Sequence, residues 1–327
     1  AAALSLEDLR EELFRQYTIL KRNKAISPLP RGFLVLILDA HESGASYRRR
    51  SSGSLTRTVK TAKGERLQFY YRHVTAMLLH AGGEVLLDVE PLRPGEDEVA
   101  AAMRLFERVA TRYPRAFDTV SGDALYLHPD FCRLAHRHRT WFIAVLKNEK
   151  RDLVVDVRGL IPQVPSHRWR EDRTDIEAWD IPDLTTWTQY HQPVRVVRTL
   201  ETRQVRRQLT REPETEHTEW MWGTDIPQSK APREIIVRLG HGRWSIENQG
   251  FNEIVHTWHG DHIYKNHPNA IVVFYLLLFL AYNLFHAFLT RNIKAALRAA
   301  HTMAFFLEKI HGAFYDAIPL RARLRPP

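Results

Sequence analysis

An α/β fold built on one mixed sheet with flanking helices is the architecture this sequence predicts, and three observations carry that expectation. The run from Gly32 to Asp39 (GFLVLILD) is continuously apolar and ends in a carboxylate, the pattern of a central strand buried on both faces. Two further strand-like segments, 66–79 and 84–92, flank Gly82-Gly83, which reads as a hairpin turn. After them, segments of helical period alternate with short apolar strands, as in a sheet completed by crossovers.

Taken in order, residues 4–24 read as a charged amphipathic helix closed by Ser27, Pro28 and Pro30. The first strand follows, and 43–64, with Arg48, Arg49 and Arg50, is expected to be a polar, basic loop before the hairpin. Carboxylates at Glu96, Asp97 and Glu98 begin a helix over 99–113 that Pro114 ends. A short strand over 116–120, a helix over 129–138 and a strand over 141–147 complete the series. Three strands, helix, strand, helix, strand is the ribonuclease-H-like order, with right-handed crossovers to the last two strands. Asp39 and Asp123, 84 positions apart, then fall at the ends of neighbouring strands.

From about residue 151 the chain turns to short β-like runs with many charges and five tryptophans, Trp169, Trp179, Trp187, Trp220 and Trp222. Helical character returns near Pro232 and continues through an apolar segment, 270–289, to a basic helix over 291–310. The expected division is an N-terminal helical segment (1–30), the first part of the core (31–150), a β-rich insertion (151–230) and a helical completion of the core (231–327).

Composition narrows the function. The chain has 327 residues, 44% hydrophobic and 26% charged, with one cysteine, Cys132. Disordered, collagenous, disulfide-built and multi-cysteine zinc proteins are thereby excluded, and a reducing intracellular setting is expected. Forty-seven Lys and Arg against 38 Asp and Glu give a net charge of +9, which favours a polyanionic partner. The chain begins without Met and without the basic-then-apolar order of a signal peptide, so it is read as starting inside a longer frame. Residues 270–289 are long enough to span a bilayer. Asn283, His286 and the single occurrence of such a run favour a buried core helix, so no membrane partner is expected.

Three segments carry a resemblance to a known family: Leu38-Asp39-Ala40-His41-Glu42, Gly122-Asp123-Ala124-Leu125-Tyr126, and Arg243-Trp244-Ser245-Ile246-Glu247-Asn248-Gln249-Gly250-Phe251-Asn252. Together they resemble the catalytic domain of DDE transposases of bacterial insertion sequences, in the class with a β insertion before the last acid. The similarity spans roughly 23–291 and includes His267-Pro268-Asn269-Ala270 and Asn283-Leu284-Phe285. It implies Asp39, Asp123 and Glu247 as the catalytic acids and the metal ligands. Two Mg²⁺ ions are implied with them, Mn²⁺ substituting, because phosphodiester chemistry of this kind uses paired hard cations held by oxygen. It further implies DNA as partner, both terminal inverted repeats and target, a homodimer in the synaptic complex, and a cytoplasmic, nucleoid-associated location.

The sequence departs from the family's Tyr-Arg-Glu-Lys signature. Gly240 stands three residues before Arg243, and Ile254 or Val255 takes the place of the lysine, leaving His256 as the nearest basic candidate for DNA contact. Arg243 precedes Glu247 by one helical turn, so it either pairs with that carboxylate or holds a DNA phosphate. Trp187, Trp220 and Trp222 lie among Arg195, Arg198, Arg203, Arg206, Arg207 and Arg211, where aromatic faces and guanidinium groups suit an unstacked base; a tryptophan core is the competing reading. Glu42, Asp88 and Glu90 are rival carboxylates. The cluster His256, His259, Asp261, His262 and His267 matches no zinc motif, and DNA contact or capping is the better reading. A structure-directed nuclease of the same fold, or a decayed DNA-binding remnant, remains open beside the transposase.

Overall fold

A computed structural model describes residues 3–62, 64–147, 152–206 and 212–317. Helix α1 (Leu6–Arg22) is capped by Ser5, whose side chain accepts from the Asp8 N–H at 3.2 Å. Strands β1 (Val35–Ser46), β2 (Leu55–Thr61), β3 (Gly64–His80) and β4 (Gly83–Pro91) follow, then α2 (Glu98–Arg112), β5 (Thr119–Gly122), α3 (Pro129–Arg137) and β6 (Trp141–Val145). Helix α4 (Asp152–Leu160) leads to strands β7 (His167–Glu171), β8 (Thr174–Leu184), β9 (Val194–Arg206) and β10 (Pro213–Thr224). The chain ends in α5 (Arg233–Gly242), a π-helical turn (Ile246–Phe251), α6 (Asn252–His256), α7 (Pro268–Asn292), α8 (Ala295–Ala300) and α9 (Met303–Ala317).

The core strands run in the order β4-β3-β1-β5-β6, with β1, β3 and β4 antiparallel and β5 and β6 parallel to β1. This is the ribonuclease-H-like arrangement. Its central strand explains the apolar run in the sequence. Leu36 and Leu38 face one core, against Leu105 and Phe106 of α2 and Phe131 of α3. Val35 and Ile37 face the other, against Ile236 of α5 and Leu276 and Phe279 of α7. A strand covered on both sides has no use for alternation.

Three expectations change. The segment 43–64 is not a loop: β1 continues to Ser46, and β2 pairs with the outer half of β3 from Leu55↔Tyr70 to Thr61↔Gly64. Its residues are largely exposed, so no burial pattern marked it as a strand. The second difference lies in 151–230. It contains α4, and its four strands continue the core sheet, because β10 pairs antiparallel with β6 (Trp222↔Val145, Thr224↔Ile143). Finally, the basic helix expected over 291–310 is two helices, α8 and α9, and α7 reaches Asn292.

Helix α7 is long and apolar enough to cross a membrane, the one such helix among the described residues. Here it packs against α1 and β4. Asn283, buried, accepts from the Leu86 N–H at 2.9 Å and donates to the Leu86 carbonyl at 2.8 Å, so it acts as a partner strand for the β4 edge. His286 meets Glu253 at 2.9 Å.

The junction between β10 and β6 is clipped by Asp225, which accepts from the Phe142 N–H at 2.8 Å. Burial pushes this carboxyl up to about 7 despite that hydrogen bond. A carboxyl raised from near 4 in the unfolded chain favours the fold when protonated. Its contribution is complete below pH ~4 and is lost as pH rises through 7. Asp225→Asn, which retains an acceptor, should therefore lose less stability than the parent between pH 4 and 8, read as the shift in urea midpoint. A parallel shift in both proteins would contradict the assignment.

Candidate active site

The chemistry-bearing residues lie midway along β1, at the end of β5 and on the turn after α5. Asp39 lies in β1 opposite Thr75 of β3 and alternates with Ile37, which puts it on the core face covered by α5 and α7. Its Oδ1 accepts from the Ala40 N–H at 2.8 Å. Asp123 follows β5 directly and caps the 3₁₀ turn Ala124–Tyr126, accepting from the Leu125 N–H at 2.8 Å. Glu247 projects from the π-helical turn and is about half exposed (48%). π-Turns recur at functional sites because the widened turn re-aims one side chain.

Arg243 joins two of the three acids. Its Nη1 donates to Asp39 Oδ2 at 3.2 Å and to Glu247 Oε1 at 2.5 Å, while its side chain is only 9% exposed. The one-turn spacing read from the sequence thus yields a pair with Glu247, extended to Asp39. Burial pushes Asp39 up to about 7; Arg243 and the Ala40 N–H oppose that rise, and the charges of Glu247 and Asp123 add to it. Among the described residues no three His, Cys, Asp or Glu side chains close on one point as a finished cation site. The donor chemistry still fits hard cations: every donor is an oxygen, Asp39 is already desolvated, and two of the carboxylates hold a positive group between them.

Sequence reading passed over a set of residues behind Asp123. Tyr126, fully buried, donates to Glu98 Oε1 at 3.0 Å, and Glu98 Oε2 accepts from Arg72 at 2.6 Å. Burial raises Glu98, with Arg72 opposing and the Asp123 charge reinforcing. A Cβ at Gly122 would run into the Tyr126 ring, so the close approach of turn and strand needs glycine there. Tyr126 stood in the second motif, and Glu98 was read only as a helix-starting carboxylate.

The rival carboxylates have other partners. Glu42 is held at 2.7 Å by both terminal nitrogens of Arg57. Asp88 binds Arg10 at 3.0 Å and Arg108 at 2.6 Å, and Glu90 binds Arg104 at 3.0 Å and Arg108 at 2.7 Å, which ties α1 and α2 to β4.

Of the expected DNA-contacting residues, Arg243 is buried and committed to Asp39 and Glu247, and Trp222 is closed off as well. It is 1% exposed, stacked on Trp220 and edge-on to His241, so neither ring face is open to a base. Trp220 is half-buried against Trp244 (4.7 Å), and Trp187 half-buried against Tyr190 (5.2 Å). His256 is exposed at the end of α6. Arg195 is buried, bidentate to Asp180 at 2.8 Å, and Arg198 and Arg203 pair with Glu219 and Glu216. Arg207 and Arg211 lie outside the described residues.

The same indole explains Gly240. A Cβ there would run into the Trp222 ring, so a tyrosine cannot occupy this position while Trp222 fills the space. Gly240→Ala should cost about 1–3 kcal/mol by overpacking, and the double variant with Trp222→Phe should recover part of it in thermal melts. Arg243→Met should destabilise by about 3 kcal/mol, since it strips a buried carboxylate of its counter-charge. An unchanged melting temperature would remove Arg243 from that role.

A family model for the transposase DDE domain matches residues 30–284. No curated protein matches the chain significantly. Among solved structures, the NurA nuclease from Sulfolobus solfataricus superposes with a TM-score of 0.30 at 11% identity, covering 72% of this chain and 84% of its own. An S-adenosylmethionine-dependent methyltransferase from Clostridium acetobutylicum ATCC 824 gives 0.15 at 10% identity, covering 43% and 58%.

Proposed function

The chain belongs to the transposase DDE-domain family, and on that premise we propose that it nicks DNA at insertion-sequence ends and joins the freed 3′-hydroxyl to target DNA. DNA is the partner and DNA cleavage the general activity that the family carries. The finer reading rests on one observation above the others: a buried arginine holds Asp39 and Glu247 together.

In this reading Asp39, Asp123 and Glu247 hold two Mg²⁺ ions, with Mn²⁺ as a substitute. When bound, such a pair activates the attacking oxygen and stabilises the leaving one. Asp39, on the rigid central strand, fixes the site's base. Asp123 is oriented by its own turn, through the Leu125 N–H. Arg243 offsets the repulsion between Asp39 and Glu247, so the acids stay gathered before any cation arrives. His256 and the half-buried Trp187 and Trp220 are the candidate DNA contacts. The protein acts as a homodimer when two ends are paired, in the cytoplasm at the nucleoid.

The decisive experiment incubates the chain with DNA carrying the element's terminal inverted repeats and Mg²⁺ or Mn²⁺, with Asp123→Ala alongside. Cleavage and joining should both fall by more than about a hundredfold in the variant, since outer partners of a metal site alone cost 10–100-fold. Cleavage without joined products would assign a structure-directed nuclease, and DNA binding with no cleavage by either protein would assign a decayed remnant.

A further inference from the structure

The segment that sequence reading left as a loop is a rigid, basic β-arm. Between Ser43 and Arg72 the chain carries eight Lys or Arg, counting Lys63, and one acid, Glu65. Two of these cations are neutralised, Arg57 by Glu42 and Arg72 by Glu98. Arg48, Arg49, Arg50, Lys60 and Arg66 are exposed.

The turn that presents Arg48–Arg50 is built rather than slack. The N–H groups of Arg48 and Arg49 donate to Ser46 Oγ at 3.2 and 3.0 Å. Asn266 donates to the Arg50 carbonyl at 2.6 Å and accepts from the Tyr71 hydroxyl, and Tyr71, itself 5% exposed, also bonds Ser51 (2.7 Å) and Ser54 (3.1 Å). Arg66 lies over the Tyr47 ring at 4.3 Å and Arg57 over Tyr70 at 4.6 Å, so the arm's side chains are braced as well. Three adjacent arginines held on an anchored turn lose little entropy on binding.

From this we infer that the β1–β2–β3 arm is a binding surface for the phosphate backbone of duplex DNA, with Arg48, Arg49 and Arg50 as its principal contacts. Charge complementarity selects the partner, because duplex DNA carries one negative charge per roughly 1.7 Å of axis. Geometry supplies the placement. Seven residues of β1 separate Asp39 from Ser46, roughly 20 Å at a strand's rise. A duplex lying along β1 with its scissile phosphate at Asp39 would meet the arginine turn about six base pairs away. The binding surface rests on DNA being the partner; only its distance from the scissile phosphate rests on the proposed role of Asp39.

The test measures affinity for an arbitrary 30-base-pair duplex by fluorescence anisotropy in EDTA across a salt series. The parent is compared with R48Q/R49Q/R50Q, with K21Q/R22Q/K24Q at the end of α1 as an equal loss of charge elsewhere, and with R48K/R49K/R50K. Each lost phosphate contact should reduce the slope of log affinity against log salt by ~0.9, so the arm variant should lose about 2–3 in slope. Its affinity at moderate salt should fall by at least about tenfold. The α1 variant should keep the parental slope, and the lysine variant should restore most of it, which separates charge from misfolding. Equal slopes for the arm and α1 variants, or no duplex binding by the parent, would overturn the inference. Because the assay contains no divalent metal and reads no cleavage, its result stands apart from that of Asp123→Ala.

Discussion

A carboxylate on a strand covered on both faces is costly unless a positive group meets it or it keeps its proton, and the arrangement of this protein follows from how that constraint is met at Asp39. The two cores that close over the inner half of β1 exclude water from Asp39, which is why it holds its proton to about 7. An uncompensated buried carboxylate costs several kcal/mol, so a counter-charge is required, and Arg243 supplies it. Arg243 in turn sits at the C-terminal end of α5, where the helix breaks before widening into the π-helical turn. That widened turn carries Glu247 back toward the same guanidinium. The desolvation of one aspartate thus links the central strand, the helix break and the last acid.

Much of this was legible in the sequence wherever burial imposed a period. The run Gly32 to Asp39, the hairpin around Gly82-Gly83, and α2 with its Asp97 cap each carry a local signal strong enough to set both type and place. The signal failed where pairing alone makes a strand. Residues 55–61 are mostly exposed and held by β3, and nothing in LTRTVKT announces a partner. Long-range pairing was likewise invisible: β10 meets β6 some 80 positions away, so Trp222, for which base contact and a tryptophan core were competing readings, lies in the join of one sheet.

That join bears directly on the site. Trp222, buried beneath α5, fills the space beside Gly240, and Trp220 and His241 stack around Trp244 just after Arg243. At Gly240 the ring of Trp222 therefore occupies the space that a side chain would need. The aromatic stack fixes where α5 ends, and hence where the guanidinium lies. The strands over 167–224 thus do more than project from the core; through β10 they set the position of the last acid. For the aromatics, core packing accounts for Trp222 fully, whereas Trp220 and Trp187 are half-buried.

The charges then divide along the length of β1. Its inner half is apolar and leads to Asp39 under a buried arginine, and its outer half leads past Ser46 into a braced turn on which Arg48, Arg49 and Arg50 are exposed. These two ends have opposite requirements. A cation at Asp39 competes with a proton and with Arg243, so it gains from a dry site with few partners. A phosphate backbone at Arg48–Arg50 gains from exposed charge whose counterions can leave. One continuous strand meets both demands because its surroundings change from two covering cores to none. The distance between the two ends is set by the rise of the strand and leaves little room for adjustment by side-chain motion.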